Sequence, residues 1–148
     1  MDADCLIKIA KGGFKENVLG LYRVTIPDTV RAEVGDHGSG GAPGKIVARN
    51  IQSRRIRTVK TQIEDSGDDA LLEAFHGGRY AFVATDDKRL IRRFSALGIP
   101  CVVPGLLLFQ LYRTGRISKT AANAMLDRLK DCISRDESQI VRFLIEER

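Results

Sequence analysis

The sequence predicts an α/β fold, a three-layer sandwich in which a central parallel sheet is flanked by helices. Short apolar segments rich in β-branched residues alternate with amphipathic helical patterns along the chain. One of these segments, Tyr80–Ala84, has continuous apolar character, which is typical of a parallel strand buried on both faces. The chain has 148 residues, 43% of them hydrophobic, so we expect a single domain spanning residues 1–148 with an ordinary core.

Four segments have the composition of strands. They are short and rich in β-branched and aromatic residues, and they are bounded by proline, glycine or acidic residues. The predicted strands are Tyr22–Ile26, Ile56–Lys60, Tyr80–Ala84 and Ile99–Val103. Helical or loop sequence separates each strand from the next, and such connections favour parallel pairing through crossovers.

Helices are predicted where apolar residues recur at spacings of three and four and where start or stop signals stand at the ends. Pro27 falls near the first turn of one helix, Asp65 or Ser66 can cap another, and Ser118 caps a third. The predicted helices are Leu6–Ala10, Phe14–Leu21, Pro27–Val34, Lys45–Gln52, Gly67–Phe75, Asp86–Leu97, Pro104–Arg113, a helix after Ser118, and Asp136–Glu146.

The last two helices also carry patterns that predict their buried faces. After Ser118 the apolar residues at helical spacing are Ala122, Met125, Leu126 and Leu129. In the final helix we expect Ile140, Phe143 and Leu144 to point inward.

One stretch, Gly35–Gly44, contains five glycines and Pro43 and predicts a loop. It is longer than the usual connection of ~4–6 residues. Its sequence does not match the phosphate-binding GxxxxGK[ST] pattern, so we expect no nucleotide-cradling role there.

The charge distribution indicates a polyanion-binding surface. The net charge is +5 and the isoelectric point is near 9.3, a balance that attracts nucleic acid. The cations are segregated from the acids in two runs. The first comprises Lys45, Arg49, Arg54, Arg55, Arg57 and Lys60, and the second comprises Lys88, Arg89, Arg92 and Arg93. We expect the phosphates of a polyanion to bind along these runs.

Cysteine usage and hydropathy predict a cytoplasmic protein. Cys5, Cys101 and Cys132 lie far apart in apolar segments without a C-x-x-C spacing, so we expect buried free thiols rather than disulfides. We expect no signal peptide ahead of Asp2. The apolar run Cys101–Tyr112 is too short to cross a bilayer, which takes ~20 residues, so no membrane association is expected.

Carboxylates stand where predicted strands end or helices begin. In an open α/β sheet, ligands collect at the carboxyl ends of the strands. Carboxylates gathered there repel one another unless a cation neutralises them, and oxygen ligands suit Mg²⁺ or Mn²⁺. The predicted metal-ligating residues are Asp2, Glu33, Asp68, Asp69, Asp86 and Asp87. For any single acid, helix capping is an equally good or better explanation, but capping gives no reason for several acids to converge.

Motifs around these acids resemble, in order, those of the PIN-domain family, metal-dependent nucleases that act mostly on RNA. The first motif is an Asp, any residue, a small polar or acidic residue and an aliphatic pair. The second is a Pro that opens a helix followed by a Glu, the third an acid that opens an apolar helix, and the fourth an apolar strand running into Thr-x-Asp. The matching segments are Asp2–Ile7, Ile26–Val34, Asp68–Ala74 and Val83–Leu90, and Gly98–Val103 fits the family's last strand.

The resemblance implies a ribonuclease that hydrolyses phosphodiester bonds with Mg²⁺ or Mn²⁺. It assigns catalytic roles to Asp2, Glu33, Asp68 and Asp87. Asp69 is an alternative to Asp68 as ligand, and Asp86 is an alternative to Asp87. The expected partners are an RNA substrate, an antitoxin protein if the chain is a toxin, and a second copy of the chain. A toxin and an RNA-processing enzyme remain open as biological roles.

An alternative function is a catalytically degenerate RNA-binding or interaction module. Such a protein retains the acids for structural reasons and binds RNA through its basic face. The two functions differ in whether the acids bind a divalent ion.

Overall fold

A computed structural model describes residues 1–37, 55–63 and 67–148; within residues 33–37 only the backbone is described. The helices of these parts are α1 (Ala3–Lys11), α2 (Lys15–Leu21), α3 (Asp28–His37), α4 (Gly67–Gly77), α5 (Lys88–Ala96), α6 (Pro104–Arg113), α7 (Lys119–Leu129) and α8 (Arg135–Glu146). The strands are β1 (Thr25–Pro27), β2 (Arg57–Val59), β3 (Val83–Ala84) and β4 (Cys101–Val102).

The strands form two small parallel sheets. Strand β1 pairs with β2, with Thr25 opposite Arg57, and β3 pairs with β4, with Val83 opposite Cys101. The predicted mixed α/β class and the parallel pairing are therefore confirmed. Within the described residues the strands do not join into one central sheet.

The first two residues lie between the two sheets. The α-amino group of Met1 donates to the carbonyl oxygen of Thr25 in β1 at 3.1 Å. The backbone N–H of Asp2 donates to the carbonyl oxygen of Ala84 in β3, also at 3.1 Å. Met1 and Asp2 thus make one bond each to the facing edges of the two sheets.

The strands are shorter than predicted, and backbone chemistry explains one boundary. Strand β3 begins at Val83, whose N–H donates to the carbonyl oxygen of Pro100 at 2.8 Å. The preceding rung of this parallel ladder would need an N–H from Pro100, which proline lacks. Pairing therefore ends at Val83, and Tyr80–Phe82 precede the strand.

Strand β4 is shorter than predicted because the residues at its two ends belong to the adjacent helix termini. The N–H of Ile99 donates to the carbonyl oxygen of Phe94 at the end of α5, so Ile99 completes a helix terminus instead of a strand. Val103 is the N-cap residue of α6, which begins at Pro104. The predicted strand Ile99–Val103 is thereby reduced to Cys101–Val102.

Several helix boundaries differ from the predicted ones. Helix α1 begins at Ala3, earlier than the predicted Leu6, because the side chain of Asp2 caps it. Pro27 is the last residue of β1, and α3 begins at Asp28. Residues 35–37, predicted as loop, continue α3. The remainder of the predicted loop, the predicted helix Lys45–Gln52 and the proposed cap at Asp65 or Ser66 lie outside the described residues.

The predicted cap and inner face of α7 are confirmed. The hydroxyl of Ser118 accepts the N–H of Ala121 at 3.2 Å. Ala122, Leu126 and Leu129 are buried in the core, and Met125 packs partly buried against it.

The predicted inner face of α8 is wrong for Ile140 and Phe143, and Leu144 is half-buried. Ile140 and Phe143 are 57% and 60% exposed, whereas Val141 and Ile145 are buried. A contact with α6 sets this rotation, because the carboxylate of Glu137 accepts the N–H of Gly105 at 2.7 Å. Glu137, Val141 and Ile145 follow one another at intervals of four and so share one helix face. Helical periodicity alone did not distinguish this face from its neighbour.

A glycine permits the close approach of these two helices. A Cβ atom at Gly105 would lie 2.8 Å from Oε1 of Glu137 and from Cγ2 of Val141, closer than Cβ contacts normally come.

Among the described residues, no helix is long and apolar enough to cross a membrane.

Two matched substitutions test the orientation of α8. Ile145 is completely buried, so Ile145→Ala should lower the free energy of unfolding by ~2–5 kcal/mol. Ile140→Ala removes the same atoms from an exposed position and should change it by no more than ~0.5 kcal/mol. Urea denaturation of both variants measures the difference. Equal losses, or a larger loss for Ile140→Ala, would show that the helix is rotated differently.

Candidate functional site

An acidic cleft of about 220 Å³ lies where α1, α4 and α5 begin. Asp2, Asp4, Asp68 and Asp87 line it together with apolar residues from α1 and α5. Three of these four acids are predicted catalytic residues. Among the described residues, none of the side chains lining the cleft is basic.

Asp2 is the most buried of these acids, with 8% of its surface exposed. Its Oδ1 accepts the N–H of Cys5 at 2.7 Å and so caps α1. Burial raises the pKa of Asp2 to about 6, although hydrogen bonds from Thr85 and from the Cys5 N–H, together with the nearby α-amino group, act to lower it. Asp86 adds repulsion that raises it further. A nearby cation would stabilise the ionised form of a carboxylate in these surroundings.

Asp87 caps the next helix of the cleft. Its Oδ1 accepts the N–H of Arg89 at 2.7 Å and that of Leu90 at 3.3 Å. Its Oδ2 lies 3.9 Å from the guanidinium of Arg89, beyond hydrogen-bond distance. Capping thus uses one oxygen of the carboxylate, and a carboxylate has two. The capping role and a metal-ligating role are therefore compatible.

Thr85 connects Asp2 and Asp87. Its side chain is completely buried at the carboxyl end of β3. The Thr85 hydroxyl oxygen accepts the N–H of Asp87 at 3.1 Å, and its hydrogen bond to the Asp2 carboxylate lowers the pKa of that group. One buried hydroxyl therefore orients two acids of the cleft, which gives Thr85 a positioning role.

The structure distinguishes Asp68 from Asp69. Both lie in the first turn of α4. The carboxylate of Asp69 pairs with the guanidinium of Arg93 at 2.5 Å, whereas Asp68 lines the acidic cleft. This placement favours Asp68 as the acid that α4 contributes.

Asp86 and Asp87 also have different surroundings. Oδ2 of Asp86 pairs with Nζ of Lys8 at 2.5 Å, and the same Nζ lies 2.6 Å from Asp4. Burial alone would lower the pKa of Lys8, but the hydrogen bonds to Asp4 and Asp86 raise it above its usual value. Asp86 is thus already neutralised by a side chain of the protein, which favours Asp87 as the ligand.

The remaining predicted ligand, Glu33, lies on α3, and its side chain is outside the described residues. Among the described side chains, no three Asp, Glu, His or Cys groups are arranged closely enough to hold an ion. The donor set that lines the cleft is nevertheless made of carboxylate oxygens, which Mg²⁺ and Mn²⁺ prefer. A metal site at these residues stays a prediction.

Sequence reasoning missed two contributors to this region. Lys8 follows Asp4 by four residues, and this spacing predicts a helical ion pair, but its contact with Asp86 spans 78 positions and has no local signal. Glu137 is half-buried in α8, and burial raises its pKa while the N–H of Gly105 and Lys8 act to lower it. Both contacts depend on how distant helices pack.

A basic helix face adjoins the cleft. Lys88, Arg89 and Arg92 are exposed on α5, the helix that Asp87 caps. Arg93 pairs with Asp69. In the other basic run, Arg55 pairs with Glu16, Arg57 and Lys60 are exposed, and the cations at 45, 49 and 54 lie outside the described residues.

The cysteines are free, as predicted. Cys5 is buried, and burial raises its thiol pKa well above the usual value, with the nearby Asp2 acting in the same direction. Cys101 and Cys132 are partly exposed, so the prediction of full burial is wrong for these two.

No protein-family model, curated protein or solved structure matches this chain. The candidate site therefore depends on the sequence motifs and on the geometry of the cleft.

The buried carboxyl of Asp2 predicts a distinctive pH dependence of stability. Its pKa is about 6 in the folded protein and 3.8 when unperturbed, so the folded state retains a proton that the unfolded state loses first. Wild-type stability relative to Asp2→Asn should therefore fall as pH rises from about 4 to about 6, by up to ~3 kcal/mol, and then stay level. Asn can still cap α1 but does not titrate.

Urea denaturation of both proteins from pH 4 to 8 in the presence of EDTA measures this difference. A stability difference that does not change with pH would show that the Asp2 carboxyl is not desolvated.

Proposed function

We propose that this protein is a cytoplasmic Mg²⁺- or Mn²⁺-dependent endoribonuclease of the PIN-domain type. The proposal includes the family's three-layer sandwich around one central sheet. Support comes from four motifs in the family's order and from the cleft that three of their acids line. Asp2, Asp68 and Asp87 come from separate helices, and their common cleft is the observation on which the proposal depends most.

The protein's own residues supply binding and orientation. Asp2, Asp68 and Asp87, with Glu33 as a predicted fourth ligand, would hold the ion through carboxylate oxygens. When bound, such an ion lowers the pKa of a coordinated water and neutralises charge on the scissile phosphate. Thr85 fixes the relative position of Asp2 and Asp87. Among the described residues, the cleft is lined by no histidine, and none is needed as a general base in this mechanism.

The ion pairs around the cleft concentrate negative charge on the proposed ligands. Lys8 shares its single positive charge between Asp86 and Asp4, and Arg93 pairs with Asp69. The described hydrogen bonds to the Asp2 carboxylate come from Cys5 and Thr85, and these uncharged donors leave its charge in place. A divalent cation is the chemical species that compensates these remaining charges best.

RNA would reach the cleft along the exposed cations of α5. Lys88, Arg89 and Arg92 follow directly after Asp87, so a backbone phosphate held by them lies next to the acids. Such contacts orient the strand without reading its bases. We propose no sequence preference from this surface, and both a toxin that pairs with an antitoxin and an RNA-processing enzyme, monomeric or dimeric, are compatible with it.

Asp87→Asn tests the catalytic proposal. Asn retains an acceptor for the cap of α5, so the fold should persist, while the loss of a charged ligand should reduce RNA cleavage by at least ~100-fold. Affinity for Mn²⁺, measured by calorimetry, should fall in parallel. Asp131→Asn, which makes the same change at an exposed position after α7, is the matched control and should keep wild-type activity.

The same assay separates the two candidate functions. Cleavage that continues in excess EDTA, or an Asp87→Asn variant with full activity, would contradict the metal mechanism. Wild-type protein that binds single-stranded RNA but neither cleaves it nor binds Mn²⁺ would identify the degenerate binding module instead.

The contribution of α5 to RNA binding is testable separately. Arg89→Ala combined with Arg92→Ala should weaken binding to unrelated single-stranded RNAs about equally and should reduce the salt dependence, since log K falls with log[salt] at roughly −0.7 per phosphate contacted. Fluorescence anisotropy at several salt concentrations measures both effects.

Arg113→Ala combined with Arg116→Ala is the charge-matched control for this experiment. Both residues are exposed at the far end of α6, about 15 Å from the start of that helix. Equal losses of affinity in the two double variants would show that binding depends on net charge and that α5 has no special role.

A further inference from the structure

Helix α8 carries a pair of large apolar side chains on its exposed face. Ile140 and Phe143 are 57% and 60% exposed, and Leu144 beside them is half-buried. The other large apolar side chains that the described residues expose, Ile63 and Leu97, stand singly in separate segments. Single exposed apolar residues are ordinary, whereas neighbouring ones on one surface mark interaction sites.

Acids stand at both ends of this apolar pair. Asp136 precedes Ile140 by four residues, and Glu147 follows Phe143 by four. Glu147 is the C-cap residue and keeps a helical backbone conformation. The four positions therefore lie within ~60° of one another around the helix axis and span ~16 Å along it. We call these four residues the α8 stripe.

The protein's own cations leave the acids of the α8 stripe unneutralised. Among the described residues, neither Asp136 nor Glu147 forms an ion pair, and both are exposed. Arg142 lies between them in the sequence, but its guanidinium pairs with Asp127 of α7 at 2.7 Å. The stripe is thus an acidic and apolar face on a chain whose net charge is +5.

The helix that carries the stripe is attached to the protein at both ends. Near its start the carboxylate of Glu137 accepts the N–H of Gly105 in α6. At its end the ammonium group of Lys119 in α7 donates to the carbonyl oxygen of Glu146 at 3.0 Å. A partner would therefore meet a preformed surface, which lowers the entropy cost of binding.

The charges disfavour a second copy of this chain on the same stripe. A twofold interface brings identical surfaces together. If the two helices ran antiparallel with Ile140 against Phe143, Asp136 would stand opposite Glu147. If they ran parallel, each acid would stand opposite its own copy. Like charges meet at both ends in either arrangement, and the same acids repel RNA and anionic lipid surfaces.

We propose that the α8 stripe docks a basic amphipathic helix of a different protein. That helix would place two large apolar side chains against Ile140 and Phe143, with a lysine or arginine beside each acid. A helix suits the stripe because its side-chain ridges pack into the grooves of another helix. Its contact face would carry a cation, an apolar residue four positions later, another after three more, and a second cation after four more. This interaction goes beyond the proposed nuclease activity.

Two synthetic helical peptides test the charge complementarity. The basic peptide has the stated spacing with Arg, Leu, Trp and Arg on its contact face, and the acidic peptide has Glu in place of both Arg residues. The full chain should bind the basic peptide at least ~10-fold more tightly than the acidic one. Amide NMR titration measures both affinities, and the shift changes should be confined to α8 and the residues that it contacts.

Substitutions in the protein test the location. Phe143→Ser should weaken binding of the basic peptide at least ~10-fold, because large apolar side chains at the centre of an interface contribute most of the affinity. Leu97→Ser removes a 53% exposed apolar side chain outside the stripe and is the matched control, which should bind as the wild type does. Asp136→Lys combined with Glu147→Lys should reverse the preference, so that the acidic peptide binds more tightly.

Several outcomes would overturn the proposal. They are the absence of binding by the basic peptide, equal affinity for both peptides, and a charge-reversed variant that keeps the wild-type preference. Sedimentation gives one more: a wild-type dimer that Phe143→Ser dissociates would show that a second copy covers the stripe. These experiments use no RNA and no metal, so their outcome is independent of the proposed activity.

Discussion

Asp2 makes the contacts on which the position of α1 against β3 and the geometry of the acidic cleft depend. Its backbone N–H bonds the edge of β3, its carboxylate caps α1, and Thr85 hydrogen-bonds the same carboxylate. One residue thus fixes the start of a helix, its distance from a strand and the direction of a buried charge. Movement of α1 and Asp2 away from β3 would break the contacts with Ala84 and Thr85 together.

Ion pairs reduce the repulsion among the carboxylates that stand at the helix starts. Carboxylates at helix N-termini gain from the backbone dipoles, but several of them in one region repel one another. The ammonium group of Lys8 pairs with both Asp4 and Asp86, and the guanidinium group of Arg93 pairs with Asp69. Of these paired acids, Asp4 also lines the cleft, together with Asp2, Asp68 and Asp87. The protein's own cations therefore separate structural acids from candidate ligands.

Helix α5 couples the cleft to the basic surface. Its N-cap is an acid of the site, its buried residues Leu90 and Phe94 anchor it to the core, and its exposed positions carry cations. The amphipathic pattern fixes which residues are exposed, and the cap fixes where the helix begins. A polyanion attracted to the exposed face is consequently brought beside the carboxylates, as the proposed metal-dependent activity would require.

The sequence by itself determined the features that depend on local chemistry. The order of the described strands and helices, the Ser118 cap, the buried face of α7 and the placement of acids at helix starts follow from neighbouring residues and from local periodicity. The α/β class with parallel pairing follows as well, because alternating strands and helices leave few other connections.

Only the tertiary structure decided the features that depend on distant contacts. The face that α8 buries was set by Glu137 and Gly105, the extent of β3 by the missing N–H of Pro100, and the different surroundings of Asp86 and Asp87 by Lys8. Residues remote in sequence meet at each of these places. Local sequence alone does not distinguish two adjacent helix faces or two adjacent acids. Packing removes that equivalence, because only one arrangement satisfies the buried hydrogen bonds and charges.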